Sequence, residues 1–294
     1  MKVLSDFDGV LTDLAEEAAR TRALFQQALQ RLPTFPKNEL APLLDFAAAE
    51  MIRLPHQHGW RVNGRVSAFS NEDGFIWVNG LGACLDQLAD SKQIAYVRLR
   101  NALQKTDVTN FCELAKNSYY QMVKETTAGV RKPLDPIVPQ VFGHLLKAGH
   151  DIVVVSNSGT DRIVALFRSA GLACTSFPER RTGTVCVRGN AGKFLLGTQS
   201  DGFAVQSYFV ETDRPQYAKI LSEEMPDIVI GDVFSLDLAL PVTMAARGVL
   251  KKPRVLLRVR PYTPKWSLEY VTHFKSEEVT CGTIDSIGKL LELA

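Results

Sequence analysis

Acidic, amide and hydroxyl side chains follow three apolar segments that lie far apart in the chain. They are Asp6 and Asp8 after residues 1–5, Ser156 and Asn157 after residues 152–155, and Asp232 and Asp237 after residues 228–230. In an open α/β sheet, reactive residues lie just past the carboxyl ends of the strands. Carboxylates gathered there repel one another unless a cation joins them, and hard oxygen ligands suit Mg²⁺. The pattern therefore predicts a divalent metal site.

The second half of the chain alternates between apolar segments and helical patterns. The predicted strands are residues 151–155, 227–230 and 254–259, with a β-rich stretch at 184–210; the predicted helices are residues 137–148, 161–170, 215–225, 236–246 and 284–291. This alternation predicts an α/β fold with a doubly wound parallel sheet. Residues 1–5 have to join that sheet, because one short strand is not stable by itself.

Between these parts, apolar residues recur mostly three and four apart, which is typical of helices. The predicted helices are residues 16–31, 39–53, 81–88, 93–104 and 108–125. We therefore expect a Rossmann-like α/β core formed by residues 1–14 and 130–294, and an α-helical insertion formed by residues 15–129.

Composition limits the classes of partner. The 34 basic and 32 acidic residues nearly balance, which disfavours a nucleic-acid partner. Hydrophobic residues make up 46% of the chain, but no apolar run approaches the roughly 18 residues that span a bilayer, so no membrane partner is expected. Five scattered cysteines argue against a disulfide framework and a zinc site. The first residues lack a secretory signal pattern, so a cytoplasmic location is expected.

The three segments resemble motifs of the haloacid dehalogenase (HAD) superfamily. DFDGVLTD at residues 6–13 resembles its first motif, VVVSNSG at residues 153–159 its second, and IGDVFSLD at residues 230–237 its fourth. Each string alone is a weak signal, since D-x-D-G also occurs in calcium loops. Their order and their positions at predicted strand ends make the combination specific. The resemblance implies a HAD core whose helical insertion is a type C1 cap.

The resemblance also implies roles for the acidic residues. Asp6 is expected to attack phosphorus as a covalent nucleophile, and Asp8 to act as general acid and base. Mg²⁺ is expected between Asp6, Asp232 and the backbone carbonyl of Asp8. Asp237 is expected to order the loop or a metal-bound water, although a carboxylate at a helix start explains it equally well.

The phosphate-binding residues include one departure from the motif pattern. Ser156 and the neighbouring backbone N–H groups, with Asn157, are expected to hold a phosphoryl oxygen. The superfamily's third motif supplies a Lys before the last catalytic strand, and this chain has Arg214 and Lys219 there. We favour Arg214 because it precedes Pro215 at the predicted helix start, with Lys219 next and Lys193 as a third candidate.

The function implied is a Mg²⁺-dependent phosphatase that hydrolyses a small phosphomonoester metabolite through an aspartyl-phosphate. A cap that closes over the site would admit small phosphorylated metabolites and exclude water. The alternatives are a phosphomutase and an inactive binding protein that keeps the fold, the latter supported by the altered third motif. A dehalogenase is disfavoured, since that branch needs no metal and lacks an Asp at the position of Asp8. The sequence carries no signal for an oligomeric state.

Overall fold

The computed structural model describes residues 1–129 and 134–293. The chain divides into two compact units. Unit 1 comprises Met1–Asp13 and Lys132–Ala294, and unit 2 comprises Leu14–Arg131. The role of unit 2 as a cap stays a prediction.

Unit 1 contains most of the strands, and unit 2 contains most of the longer helices. The strands are β1 (Lys2–Ser5), β2 (Gly59–Val62), β3 (Arg65–Phe69), β4 (Asp151–Val155), β5 (Cys174–Ser176), β6 (Val185–Arg188), β7 (Gly202–Val205), β8 (Tyr208–Glu211), β9 (Ile228–Gly231), β10 (Arg254–Arg258) and β11 (Thr280–Ile284). The α-helices are α1 (Ala15–Gln30), α2 (Lys37–Arg53), α3 (Gly74–Asp90), α4 (Ile94–Leu103), α5 (Phe111–Gly129), α6 (Val138–Lys147), α7 (Thr160–Ser169), α8 (Pro215–Glu224), α9 (Ala239–Ala246) and α10 (Lys265–His273).

A seven-stranded sheet organises unit 1, in the order β11-β10-β9-β1-β4-β6-β5. All its neighbouring strands are parallel, so their carboxyl ends share one edge. Strands β4, β5 and β6 lie on one side of β1, and the later strands β9, β10 and β11 lie on the other. The direction in which strands are added therefore reverses beside β1, and open α/β sheets bind ligands at such a point. The predicted doubly wound α/β class is confirmed.

The strands of this sheet are apolar because both of its faces are covered. Val3, Ile152 and Ile230 belong to one hydrophobic cluster together with residues of α6 and α7. Their chain neighbours Leu4 and Val153 point to the opposite face and are at most 1% exposed. Strands buried on both faces read as continuous apolar runs rather than alternating ones.

Unit 2 is a helical bundle with one small hairpin. Its core includes Phe25 from α1, Met51 from α2, Leu85 from α3, Leu99 from α4 and Phe111 from α5. The antiparallel pair β2–β3 is a separate two-stranded sheet whose strand β2 packs against α3.

The sequence pattern missed two features of unit 2. The hairpin turns at Asn63 and Gly64, both with positive φ (51° and 78°), and Asn-Gly between apolar segments is a hairpin signal that was present in the sequence. Helix α3 begins at Gly74 rather than near residue 81, because the Asp73 carboxylate accepts a hydrogen bond from the Ile76 N–H at 2.6 Å. That N-cap satisfies a backbone donor that the helix itself cannot pair.

The end of unit 1 also differs from the prediction. Helix α10 and edge strand β11 were not predicted, and the expected helix at residues 284–291 is the last residue of β11 followed by a 3₁₀ helix at Ile287–Glu292. β11 contains polar residues and a glycine, so its pairing with β10 rather than an apolar pattern defines it as a strand.

Candidate active site

Asp6, Asp232 and Asp237 meet at the carboxyl edge of the sheet in unit 1. The chain leaves β1 at Asp6, whose N–H donates to the Ile230 carbonyl of neighbouring β9 at 2.8 Å, and Asp232 comes directly after β9. Each of the three side chains offers a carboxylate oxygen within 4.8 Å of the others, and all three residues are buried. We call this set the acidic cluster. Its hard oxygen donors fit a divalent cation such as Mg²⁺.

Asp237 reaches the acidic cluster from a π-helical turn at Phe234–Leu238. Its Oδ2 accepts a hydrogen bond from the Val233 N–H at 3.2 Å, so the carboxylate caps its own turn. Turns of this wide kind occur often at functional sites. Asp237 thus pairs a backbone N–H at the start of its own turn and also contributes an oxygen to the acidic cluster, and its expected role toward a metal-bound water stays a prediction.

Lys193 supplies the positive charge beside these carboxylates. Its ammonium donates to Oδ1 of Asp6 and to Oδ1 of Asp237, and the lysine side chain is 3% exposed. The same ammonium lies 5.7 Å from the centroid of the Tyr217 ring, and the Tyr217 hydroxyl donates to the Asp237 carbonyl at 2.9 Å. A buried amine among carboxylates is held by both hydrogen bonds and charge.

The path of the loop after β6 explains how Lys193 reaches the acidic cluster. This loop runs along the loop after β4, with the Asn190 N–H donating to the Ser158 carbonyl and the Ala191 N–H to the Ser156 carbonyl, both at 2.9 Å. Asn157 then accepts a hydrogen bond from the Lys193 N–H at 2.8 Å through Oδ1. The Asn157 side chain, which is predicted to hold phosphate, thus binds the backbone of Lys193 in this structure.

Glycine permits the close approach of these two loops. A Cβ on Gly189 would lie 2.4 Å from the Thr160 nitrogen and 2.6 Å from the Ser158 oxygen, closer than side-chain carbons come to backbone. Any larger residue would push the loop after β6 away from the loop after β4.

Asp8 lies against the serines that follow β4. Ser158 Oγ donates to Asp8 Oδ2 at 2.6 Å, and Ser156 Oγ donates to the same oxygen at 3.4 Å. Ser156 Oγ also accepts from the Ser158 N–H at 3.0 Å. Ser158 has no predicted role, although it lies within the motif string at residues 153–159. The expected role of the Asp8 carbonyl in metal binding stays a prediction.

The structure corrects the predicted placement of the third-motif cation. Arg214 is 1% exposed, but its guanidinium donates to the backbone carbonyls of Lys193 and Glu211 at 2.6 and 3.3 Å. Lys219 is 77% exposed and pairs with Glu223 at 3.9 Å on the surface of α8. Lys193, the third candidate, is the residue that contacts the acidic cluster.

The pKa values of Asp6 and Lys193 are both raised, for different reasons. Burial raises the pKa of the Asp6 carboxyl, Lys193 opposes that shift, and the charges of Asp237 and Asp8 add to it. For Lys193, burial lowers the pKa, but Asp237 and Asp6 raise it by more, so the amine is held in its charged form. A cation bound among the carboxylates would favour the ionised form of Asp6.

Solved structures of low sequence identity resemble this chain. A 2-haloacid dehalogenase from Pseudomonas syringae is 13% identical with a TM-score of 0.41, over 99% of this chain and 96% of that one. The HAD-hydrolase YfnB from Bacillus subtilis bound to magnesium is 13% identical with a TM-score of 0.44, over 99% and 97%. A haloacid dehalogenase-like hydrolase from Streptococcus pneumoniae is 11% identical with a TM-score of 0.46, over 100% and 98%.

All three carry the name of the superfamily that the motifs resemble. The α/β class of this chain is shown by its own seven-stranded sheet. No family model matches the chain, and no curated protein matches it. Among the residues that the structure describes, no helix is long and apolar enough to cross a membrane.

Proposed function

We propose that this protein is a HAD-type hydrolase that uses Mg²⁺ and a covalent aspartyl-phosphate to hydrolyse a small phosphomonoester. The observation that carries the proposal is the charge of the acidic cluster. The cluster has three buried carboxylates, and one ammonium, that of Lys193, contacts two of them, Asp6 and Asp237. Two negative charges remain when all four groups are ionised. A divalent cation would balance them, whereas uncompensated buried charge is costly.

Asp6 has the geometry expected of the nucleophile. It follows the central strand β1, and the Lys193 ammonium binds its Oδ1, which restrains the position of the carboxylate. Attack on phosphorus would form an acyl phosphate and release the alcohol of the substrate, and water would then hydrolyse that intermediate. Bound Mg²⁺ would neutralise phosphoryl oxygens and so let an anionic carboxylate approach an anionic substrate.

Asp8 has the partners expected of the acid and base. Ser158 and Ser156 hold one of its oxygens, so the carboxyl group is oriented before substrate binds. In its protonated form Asp8 would donate a proton to the leaving alcohol, and it would take one from water in the second step. An Asp at this position favours phosphoryl transfer over dehalogenation.

The contacts of Lys193 favour an active enzyme over an inactive binding protein. That alternative depended on the missing third-motif lysine, and Lys193 contacts both Asp6 and Asp237. We propose that Lys193 takes the role expected of that lysine, and that unit 2 acts as a cap that confines the substrate. A cap of this kind favours small phosphorylated metabolites over large ones.

The test measures phosphate release from p-nitrophenyl phosphate and a panel of phosphorylated metabolites, with Mg²⁺ or with EDTA. We expect Mg²⁺-dependent release that Asp6→Asn abolishes, because an amide is a poor nucleophile, while the exposed-site control Asp45→Asn keeps full activity. Parallel assays with 2-haloacids and with added sugar bisphosphate test the dehalogenase and phosphomutase alternatives. Halide release that persists in EDTA, without phosphate release, would refute the proposal.

A further inference from the structure

The turn that follows β10 lies beside the acidic cluster. Strand β10 pairs with β9 so that Leu257 lies opposite Gly231, the residue before Asp232. The turn itself is closed by two hydrogen bonds between Arg260 and Thr263: the Arg260 N–H donates to the Thr263 hydroxyl at 2.8 Å, and the Thr263 N–H donates to the Arg260 carbonyl at 3.0 Å. Tyr262 therefore projects from a turn with a defined backbone.

Arg260 fastens this turn to the loop after β1. Its Nε donates to the Gly9 carbonyl, and its Nη2 donates to the Thr12 carbonyl at 3.0 Å. Charge-assisted hydrogen bonds of this kind are stronger than neutral ones. The turn after β10 and the loop that begins with Asp6 are thus joined on the side of Asp232.

Tyr262 contacts the acidic cluster directly. Its hydroxyl donates to Asp232 Oδ2 at 2.7 Å, a good O–H···O⁻ distance. Gly9 lies against this pair with a φ of +75°, and a Cβ there would lie 1.9 Å from Asp232 Oδ2 and 2.7 Å from the Tyr262 hydroxyl oxygen. Only glycine, which has no Cβ, leaves room at this position for the hydrogen bond between Tyr262 and Asp232.

We infer that Tyr262 is a positioning residue that orients Asp232 for cation binding. By holding Oδ2, the hydroxyl restrains the rotation of the Asp232 carboxylate, which belongs to the acidic cluster. A carboxylate already held in its binding orientation loses less freedom when the metal binds, and loss of such outer partners typically weakens metal affinity about 10- to 100-fold. This inference rests on the metal site of the proposed function.

The test is calorimetric titration of the full chain with Mg²⁺ and with Mn²⁺, without substrate. Tyr262→Phe removes only the hydroxyl, and we expect the dissociation constant for both metals to rise by about 10- to 100-fold. The matched control is Tyr270→Phe, which removes a hydroxyl from a tyrosine of unit 1 whose ring packs on Phe234, and we expect it to bind metal like the original protein. In turnover, Tyr262→Phe should need more Mg²⁺ for half-maximal rate but approach the original kcat at saturating Mg²⁺.

Equal metal affinity in Tyr262→Phe and the original protein would overturn the inference, as would the absence of Mg²⁺ and Mn²⁺ binding in the original protein. Equal weakening in Tyr270→Phe, or a loss of kcat that saturating Mg²⁺ does not restore, would show a structural role and also overturn it. Because binding is measured without substrate, metal binding that depends on Tyr262 in a protein without phosphatase activity would support the inference and refute the proposed function.

Discussion

Replacing Lys193 with methionine tests the centre of the proposed site. Methionine keeps a long unbranched side chain but removes the ammonium that contacts Asp6 and Asp237. At an effective dielectric constant of about 20, opposite charges 2.5 Å apart, the distance from Lys193 Nζ to Asp237 Oδ1, attract by about 7 kcal/mol before desolvation is subtracted. Breaking a buried ion pair on one side costs about 3–5 kcal/mol net, because a buried charge is left uncompensated.

The same change should have a large effect on turnover. A group that stabilises charge in a transition state typically contributes about 10²- to 10³-fold to kcat. Because Lys193 also orients the nucleophile, we expect Lys193→Met to lower kcat by about 10³-fold or more in phosphate-release assays. Urea titration followed by circular dichroism should show that the variant has a lower free energy of unfolding than the original protein. We expect the variant to remain folded in the assay buffer without urea.

Two control variants separate stability from chemistry. Glu224→Gln breaks another buried ion pair, since the Glu224 side chain is 0% exposed and pairs with Lys2, Arg180 and Arg188. It should lose a similar free energy of unfolding and keep its kcat. Lys219→Ala removes an exposed lysine and should change neither quantity. A folded Lys193→Met protein with kcat within tenfold of the original, or an equal loss of kcat in Glu224→Gln, would refute the reasoning.

Three further predictions concern the surroundings of the acidic cluster. Ser158→Ala removes the hydrogen bond to Asp8 and should lower kcat by about 10- to 100-fold, whereas Ser169→Ala on the surface of α7 should not; equal rates would contradict the orienting role of Ser158. Gly9→Ala places a methyl group against the Asp232 carboxylate and should weaken Mg²⁺ binding by at least about tenfold in calorimetry, so unchanged affinity would be incompatible with the close packing described. EDTA should abolish turnover and excess Mg²⁺ should restore it, as measured by phosphate release, and activity that survives chelation would exclude the metal.

The local pattern of the sequence by itself predicted the strands at the centre of the sheet and the edge at which the acidic residues after them lie. Strands β1, β4 and β9 are short apolar runs, and a residue that ends such a run must lie at an edge of the sheet. The amino-acid pattern by itself therefore places Asp6 and Asp232 at the same edge. That inference needs only strand direction and the rule that parallel strands share their carboxyl edge.

Only the tertiary structure decided which side chains complete the site. Lys193 lies 187 positions from Asp6 in the chain, and Ser158 lies 150 positions from Asp8. Both contacts depend on the order β1-β4-β6 in the sheet, and on the close approach of the loops after β4 and β6. Local periodicity defines each strand but not its neighbours in the sheet, so the sequence left Arg214 as the favoured cation. The order of the strands, fixed by packing over the whole unit, placed Lys193 there instead.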